Sequence, residues 1–228
     1  MISAQLDKST ESLLLAHEFG IDVRARRVYL MGEFGGDCDV VEMALTNLRH
    51  LSSPSHFPET YQNTIDLIID SPGGEDVSMF HLYDFMTTTS TPINTIGMGE
   101  VCSAATLIMA AGVRRFATPN CMFMTHKGKT GLGGDDDEIE AQAALQALNS
   151  DKYWKLLERH TKLPAAKWLS KSKHKGELWM NVDTALEYGL IDEIIPTFQT
   201  WPALSTKKLR TKVKEVIDEE DDDDADST

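Results

Sequence analysis

The chain has 228 residues, of which 41% are hydrophobic and 25% charged, and its formal net charge is −14 at pH 7. These values predict a soluble globular protein with a full core, and no apolar run reaches the roughly 18 residues that a membrane helix needs. The acidic balance argues against nucleic-acid binding as the main task, because an acidic surface is repelled by phosphate backbones.

The first residues and the cysteines bear on the cellular compartment. No basic segment followed by an apolar segment marks a secretory signal near residue 1. Cys38, Cys102 and Cys121 are odd in number and have no CxxC spacing, so they predict neither a disulfide framework nor a zinc site. We therefore expect a cytoplasmic protein.

The two ends of the chain differ from its middle. Residues 207–214 carry five positive charges, and residues 215–228 carry nine acids and no base. Such a run cannot bury apolar area, so we expect residues 201–228 to form a basic-then-acidic disordered tail. Residues 1–20 give only a weak amphipathic signal and are expected to form an N-terminal arm, which is a short helix, a mobile segment or a segment that is removed.

Apolar periodicity predicts strands and helices that alternate along the chain. In chain order these are a strand at 27–32, a helix at 40–51, a loop at 52–63, a strand at 65–70 with a turn at 71–74, a helix at 76–86, a strand at 93–98, a helix after Ser103, a strand at 122–125, and then helices at 139–160 and 183–188 and a strand at 190–195. The buried side of the long helix is expected to carry Leu145, Leu148, Leu156 and Leu157. The alternation predicts an α/β domain with a largely parallel sheet covered by helices.

Ser103 lies where a predicted strand gives way to a predicted helix. A serine at that position commonly caps the helix by accepting a hydrogen bond from a backbone N–H group. The same corner also suits a nucleophile, because the amide of Ala104 has no partner within the helix and points to where an oxyanion would form. The residue pattern alone leaves both interpretations open.

A serine nucleophile needs a neutral imidazole to accept its proton and a carboxylate to orient that imidazole. Of the seven histidines, His126 follows the strand predicted at 122–125 and precedes a glycine-containing loop. Functional groups of α/β sheets are presented at such strand ends, although a structural role is equally compatible with the position. The other histidines are expected at surface or structural positions, with His160 and His174 solvated among lysines.

Four short motifs occur in order along the chain. They are a strand with Ser-Pro-Gly-Gly at 69–74, a Met-Gly-x-x-x-Ser turn at 98–104, a Pro-Asn strand ending in Met-x-His at 119–126, and Ala-x-Glu-Tyr-Gly-Leu-x-Asp at 185–192. Together they resemble the proteolytic-subunit family of the Clp protease (ClpP), serine peptidases of the ClpP/crotonase fold. The resemblance covers most of the chain and implies a ClpP-like peptidase domain at residues 21–200, with a largely parallel sheet flanked by helices and a long handle helix.

The resemblance also assigns roles to individual residues. It implies that Ser103 is the nucleophile and His126 the general base, and that the backbone amides of Gly74 and Ala104 form the oxyanion hole. Glycine suits that hole, because a backbone amide facing the substrate must approach without a Cβ in the way.

The third member of the triad departs from the family pattern. The family usually has an aspartate where this chain has Glu177, which keeps the charge that orients His126 but is one methylene longer. The alternative is that Glu177 is a solvated loop residue and that Asp183 or another group orients the imidazole.

The function implied by the resemblance is hydrolysis of unfolded polypeptides inside an oligomeric ring chamber. In the family, two seven-membered rings face each other through the handle region, which matches the loop 128–134 and the helix at 139–160, and stack as a tetradecamer. No cofactor is expected, since ATP is used only by a partner AAA+ unfoldase. The family's docking cleft has aromatic residues where this chain has Asp66 and Ile68, so a divergent partner or none is expected.

Two other functions remain open from the sequence. A crotonase-fold coenzyme-A enzyme would also use paired amides to hold an oxyanion. A ring subunit without activity would explain the glutamate in the acid position and the altered docking strand.

Overall fold

The computed structural model describes residues 8–36, 39–60, 62–129, 131–173 and 176–195. They all belong to one unit, Met1–Pro196, and the second unit, Thr197–Thr228, lies outside them. The tail expected at 201–228 and His174 are therefore also outside the described residues. None of the described helices is long and apolar enough to cross a membrane.

Eight strands and seven helices occur in the described residues, in the order predicted for an α/β domain. They are α1 (Lys8–Phe19), β1 (Ile21–Asp22), β2 (Arg27–Phe34), α2 (Val40–Leu51), β3 (Ile65–Gly74), α3 (Asp76–Thr88), β4 (Ile93–Cys102), α4 (Ala104–Ala110), β5 (Arg115–Ala117), β6 (Met122–His126), α5 (Asp136–His160), α6 (Ala165–Lys173), β7 (Glu177–Met180), α7 (Val182–Tyr188) and β8 (Glu193–Ile194).

The strands form one mixed, mostly parallel sheet flanked by helices. Its order is β1-β2-β3-β4-β5-β8, and β6 pairs with β4 and with β7. Only β1 with β2 and β6 with β7 run antiparallel among the described pairs. β4 is long enough to pair first with β5 and then, near its end, with β6. This arrangement is consistent with the ClpP/crotonase fold, and it brings the ends of β3, β4 and β6 together.

Local sequence accounts for the helix boundaries. The side chain of Asp39 caps α2 by accepting from Val41 N, and α5 begins with a capping box formed by Asp135 and Glu138. α7 ends at Gly189, whose left-handed conformation glycine adopts without a Cβ penalty. The apolar sides of these helices and the central strands form one core, in which Leu30, Leu67 and Ile69 are fully buried.

Several expectations from the sequence are wrong. Ser71–Gly74 is not a turn but the last part of β3, and the pairing with β4 shifts register between Ile69 and Ser71. The predicted final strand is reduced to β8, and α6 and β7 were not predicted. Leu145 and Leu148 are exposed rather than buried, because they lie on a side of α5 that no described part of the subunit covers.

Candidate active site

Ser103 sits between the end of β4 and the start of α4 in a strained backbone conformation. Its φ of 55° and ψ of −123° lie outside the regions that non-glycine residues normally occupy. The conformation is held by its own N–H, which donates to Met124 O at 2.7 Å, and by its carbonyl, which accepts from Thr106 N at 3.0 Å. The hydroxyl makes no capping hydrogen bond to α4, so the helix-cap interpretation of Ser103 is wrong.

The hydroxyl of Ser103 is instead hydrogen-bonded to His126. Ser103 Oγ lies 2.7 Å from His126 Nε2. The contact follows from the sheet, because β4 and β6 run parallel with Cys102 opposite Met124, so that the residues just beyond that pair meet at the same edge. With the imidazole neutral and its proton on Nδ1, Nε2 accepts the hydroxyl proton, which is the geometry of a nucleophile and its general base.

The surroundings of His126 keep its imidazole neutral. Burial lowers the pKa of His126, and the positive charge of Lys129 lowers this pKa further, while Glu177 opposes both effects. A neutral imidazole at neutral pH is the form that a general base requires.

Glu177 is close to His126 in register but is not hydrogen-bonded to it. β6 and β7 are antiparallel, with His126 directly opposite Glu177. The carboxylate accepts from Lys129 Nζ at 3.1 Å and from Trp179 Nε1 at 3.1 Å. These hydrogen bonds, first that of Lys129 and then that of Trp179, lower the pKa of Glu177. His126 Nδ1 has no hydrogen-bond partner among the described residues. Asp183, the alternative to Glu177, is therefore not bonded to the imidazole either.

Gly74 and Ala104, whose amides are predicted to form the oxyanion hole, flank Ser103. Gly74 ends β3 and lines the same cleft as Ser103, and the N–H of the next residue, Glu75, donates to Phe34 O on β2. The amide of Ala104, the first residue of α4, is one of the donors that a helix start leaves without an intrahelical partner. The oxyanion hole at these two amides stays a prediction.

Gly73 allows this close approach of β3 to Ser103. A Cβ on Gly73 would lie 2.6 Å from Cys102 O and 2.8 Å from Ala104 N, and its φ is +91°. Its N–H is already used, because it donates to Ser71 Oγ at 3.0 Å. Any side chain at this position would push the strand away from Ser103 and separate the two amides.

The sequence interpretation did not include Tyr153, Lys129 and Asp76, which the structure also places around Ser103. Tyr153 OH donates to Ser103 O at 3.2 Å and is hydrogen-bonded to Thr106 Oγ1 at 2.6 Å, and burial raises the pKa of Tyr153. Tyr153 lies 50 residues away in sequence from Ser103 on the long helix, so only the fold could reveal this contact. Asp76 follows Gly74 by two residues, so its place near the site could have been predicted from the sequence once Gly74 was assigned to the site.

An open cleft of about 740 Å³ lies in front of the hydroxyl. Its walls include Gly74, Asp76, Ser103, His126 and Lys129. No group of three or more His, Cys, Asp and Glu side chains that could hold a metal ion occurs among the residues that the structure describes. The arrangement can support addition of the serine oxygen to a carbonyl carbon, with the imidazole accepting the proton and the two amides holding the oxyanion.

Comparison with known proteins gives consistent matches. A profile of the Clp protease family matches residues 23–198. The ATP-dependent Clp protease proteolytic subunit of Deinococcus radiodurans is 32% identical over 59% of this chain and 66% of its own length. Proteolytic subunit 1 of Rhodopirellula baltica is 31% identical over 60% of each chain, and proteolytic subunit 2 of Treponema denticola is 32% identical over 75% of this chain and 82% of its own length. The chain thus spans just under two thirds of the first two relatives.

Proposed function

The chain belongs to the Clp protease family, and from this premise we propose that it is a serine-type endopeptidase subunit that hydrolyses unfolded polypeptides through an acyl-enzyme on Ser103. The observation that carries the proposal is the 2.7 Å contact between Ser103 Oγ and His126 Nε2 at a strained strand-to-helix corner. The hydroxyl does not cap α4, so helix capping does not account for its position.

The proposed reaction follows the geometry of the site. Ser103 Oγ adds to the carbonyl carbon of a peptide bond while its proton passes to His126 Nε2, and the oxyanion accepts hydrogen bonds from the amides of Gly74 and Ala104. The imidazolium then gives its proton to the amine, the C–N bond breaks, and the acyl group remains as an ester on Ser103. A water molecule adds to the ester with His126 again accepting a proton, which releases the carboxylic acid and regenerates the hydroxyl.

Glu177 is the proposed third member of the triad. Directly opposite residues of an antiparallel pair carry their side chains on one face, with Cβ atoms about 5 Å apart, so a rotation of the Glu177 side chain brings its carboxylate toward His126 Nδ1. The orphaned Nδ1 supports this role, because a buried N–H group without an acceptor has a place for one. The hydrogen bond from Lys129 must break for Glu177 to reach it.

The proposal includes assembly into two heptameric rings stacked as a tetradecamer, with the cleavage sites inside. The three relatives are named proteolytic subunits of an ATP-dependent protease, which supports a separate partner that uses ATP. We propose an AAA+ unfoldase of divergent docking chemistry for that role. Neither of the two docking positions carries an aromatic side chain. Asp66 accepts a hydrogen bond from Asn94 Nδ2 at 3.0 Å, and Ile68 is buried.

One observation favours a second candidate, a ring subunit without peptidase activity. With Glu177 bound to Lys129 and Trp179, no carboxylate of the described residues is hydrogen-bonded to Nδ1 of His126. Such a subunit would assemble but would not turn over small peptides. No observation of comparable weight favours the coenzyme-A enzyme, and the family match supports the peptidase.

Labelling with a fluorophosphonate probe tests the proposal. Wild-type protein should form a covalent adduct and hydrolyse an unfolded casein-like substrate, and Ser103→Ala should do neither. Ser55→Ala removes an exposed hydroxyl in a loop and serves as the matched control, which should be labelled like the wild type. Equal labelling of wild type and Ser103→Ala would refute the proposal, and ring assembly with neither labelling nor hydrolysis would establish the inactive subunit instead.

A further inference from the structure

A carboxylate lies beside the proposed scissile bond. In the proposed reaction the carbonyl of the residue on the acyl side sits between the amides of Gly74 and Ala104, so the side chain of that residue leaves the backbone close to Ser103. Asp76 follows Gly74 by two residues and opens α3. It lines both the open cleft and a small cavity of about 20 Å³ next to Ser103. That cavity holds little more than one water molecule, so a long side chain must lie in the cleft, along Asp76.

The charge of Asp76 is not neutralised within the described part of the chain. Its carboxylate makes no ion pair or hydrogen bond to a described residue. It faces the site, since Asp76 lines the small cavity together with Ser103, His126 and Tyr153. A half-buried carboxylate without a cation is an electrostatic site for a positive group supplied from outside.

The other charged residues of the cleft also favour a cationic substrate. Glu33 and Glu75 line it together with Asp76, and the carboxyl end of Glu75 folds over Gly35. Lys129 is the basic residue of this lining, and its ammonium lies 3.1 Å from Glu177. When Glu177 turns to His126 and releases Lys129, the lining still carries three carboxylates against one ammonium. The cleft therefore presents several unpaired anionic groups to a substrate, which favours binding of cationic over acidic polypeptide segments.

We propose that the cleft selects polypeptides with a lysine or arginine on the acyl side of the scissile bond, and that Asp76 is the carboxylate that pairs with this side chain. The inference rests on the proposed peptidase function and names its substrate class. Lysine and arginine fit the geometry, because their flexible apolar stems can run along the cleft while the charged end reaches a carboxylate at its wall. Apolar side chains of the same length would leave Asp76 unpaired and partly desolvated, which costs binding free energy.

Asp76 has a competing structural explanation. An acid in the first turn of a helix stabilises the helix through the dipole, whatever substrate binds nearby. That role predicts that replacing Asp76 changes the stability of the protein but leaves the ratio between substrates unchanged. Selectivity between two substrates therefore separates the two explanations, whereas overall activity does not.

The test uses fluorogenic peptides that differ only in the residue on the acyl side, which is arginine, norleucine or glutamate. For the wild type we expect kcat/KM for arginine to exceed that for norleucine about tenfold, with glutamate hydrolysed more slowly than either; a tenfold ratio is what one charge-assisted hydrogen bond provides. Asp76→Asn keeps the shape and removes the charge, and it should lower the arginine-to-norleucine ratio toward one. Asp84→Asn makes the same change at an exposed position of α3 and should keep the wild-type ratio.

A binding measurement makes the outcome independent of turnover. Peptidyl boronates with arginine or norleucine at the same position compete with the fluorophosphonate probe for Ser103, and the arginine compound should protect at about tenfold lower concentration in the wild type but not in Asp76→Asn. Labelling of Ser103 without any preference for arginine overturns the inference and leaves the peptidase function standing. Absence of Ser103-dependent labelling overturns both, and a ratio that Asp76→Asn does not change assigns Asp76 to the helix alone.

Discussion

The backbone of Ser103 is strained. A non-glycine residue in this part of conformational space is destabilised by about 1–3 kcal/mol, and it persists only where the surrounding structure fixes it. Met124 O and Thr106 N provide that fixation on either side of Ser103. In this conformation the hydroxyl points away from the start of α4 and toward His126. The strain therefore accompanies the orientation of the Ser103 oxygen atom.

The protonation of His126 gives the first prediction at this scale. Burial and Lys129 lower the pKa of His126, so kcat/KM should rise with pH and reach half of its plateau below pH 6.5, the ordinary histidine value. Lys129→Met removes a positive charge and should move the midpoint to higher pH. Glu177→Gln removes a negative charge, so it should move the midpoint to lower pH and reduce the plateau by about 100-fold or more through loss of orientation.

The pH profiles of the three proteins and of Lys127→Met decide this prediction. Lys127 is exposed next to His126, and its side chain does not line the cleft, so its replacement should leave the midpoint in place. Midpoints that move in the same direction for Lys129→Met and Glu177→Gln would contradict the electrostatic account. A plateau unaffected by Glu177→Gln would remove Glu177 from the proposed triad.

The residues of the candidate site were only partly accessible from the sequence. Ser103 and His126 were singled out because the family resemblance assigns their roles, and because each lies shortly after a predicted strand, where parallel strands end at one edge of a sheet. The partners of Glu177 could not, because its carboxylate is bound by Lys129 and Trp179 through side-chain conformations that no spacing encodes. The triad thus stays a prediction that depends on a rotation of Glu177.

At the scale of elements, hydrophobic periodicity was reliable where one side of an element is buried. α2 was predicted from its first to its last residue, since its apolar spacing and the cap at Asp39 agree. Pro-Gly-Gly after β3 suggested a turn, because these residues favour turns locally, yet the ladder to β2 continues through them as far as Gly74. β7 has four residues, and its place is set by pairing with β6 rather than by a pattern of its own.

His160 joins two elements, and its predicted solvation is wrong. It was expected to be solvated, but Tyr83 OH on α3 lies 2.8 Å from His160 Nε2 at the end of α5. Burial, with the charges of Arg115 and Arg159, lowers the pKa of His160 to about 4. A neutral imidazole therefore belongs to the contact between α3 and α5, and a proton on it would be buried beside two arginines.

The contact predicts acid sensitivity of the fold. Between pH 6.5 and about 4 the unfolded chain binds a proton at His160 that the folded chain excludes, so stability falls as pH drops through this window and is fully present above it. We expect this group to contribute about 1–3 kcal/mol to the loss of unfolding free energy. His160→Gln should reduce the difference in urea unfolding between pH 7 and pH 4.5, and His81→Gln, at an exposed position of α3, should not. An unchanged pH dependence in His160→Gln would show that other groups control acid unfolding.

On the scale of the whole molecule, α5 is divided into two unlike halves. Tyr153, Trp154 and Leu157 in its second half are buried in the core. In its first half Leu145 and Leu148 are 58% and 68% exposed, and no described part of the subunit covers them. A helix that is folded, capped and apolar on an uncovered side is typical of an interface between copies of a protein.

The proposed rings place a second copy against this half of α5, which gives the last prediction. Leu148→Glu puts a charge where the interface would bury an apolar side chain. Burial of that side chain stabilises the interface by about 1.5–3 kcal/mol per copy, and closed symmetry repeats the loss at every contact. Analytical ultracentrifugation should show a large assembly for the wild type and smaller species for Leu148→Glu. The free energy of unfolding of the subunit, measured by thermal unfolding, should change by less than about 1 kcal/mol, because the side chain is exposed. Val113→Glu changes an apolar side chain that is 45% exposed outside α5, so it should assemble like the wild type. A monomeric wild type, or an assembly that Leu148→Glu leaves intact, would mean that α5 does not hold the copies together.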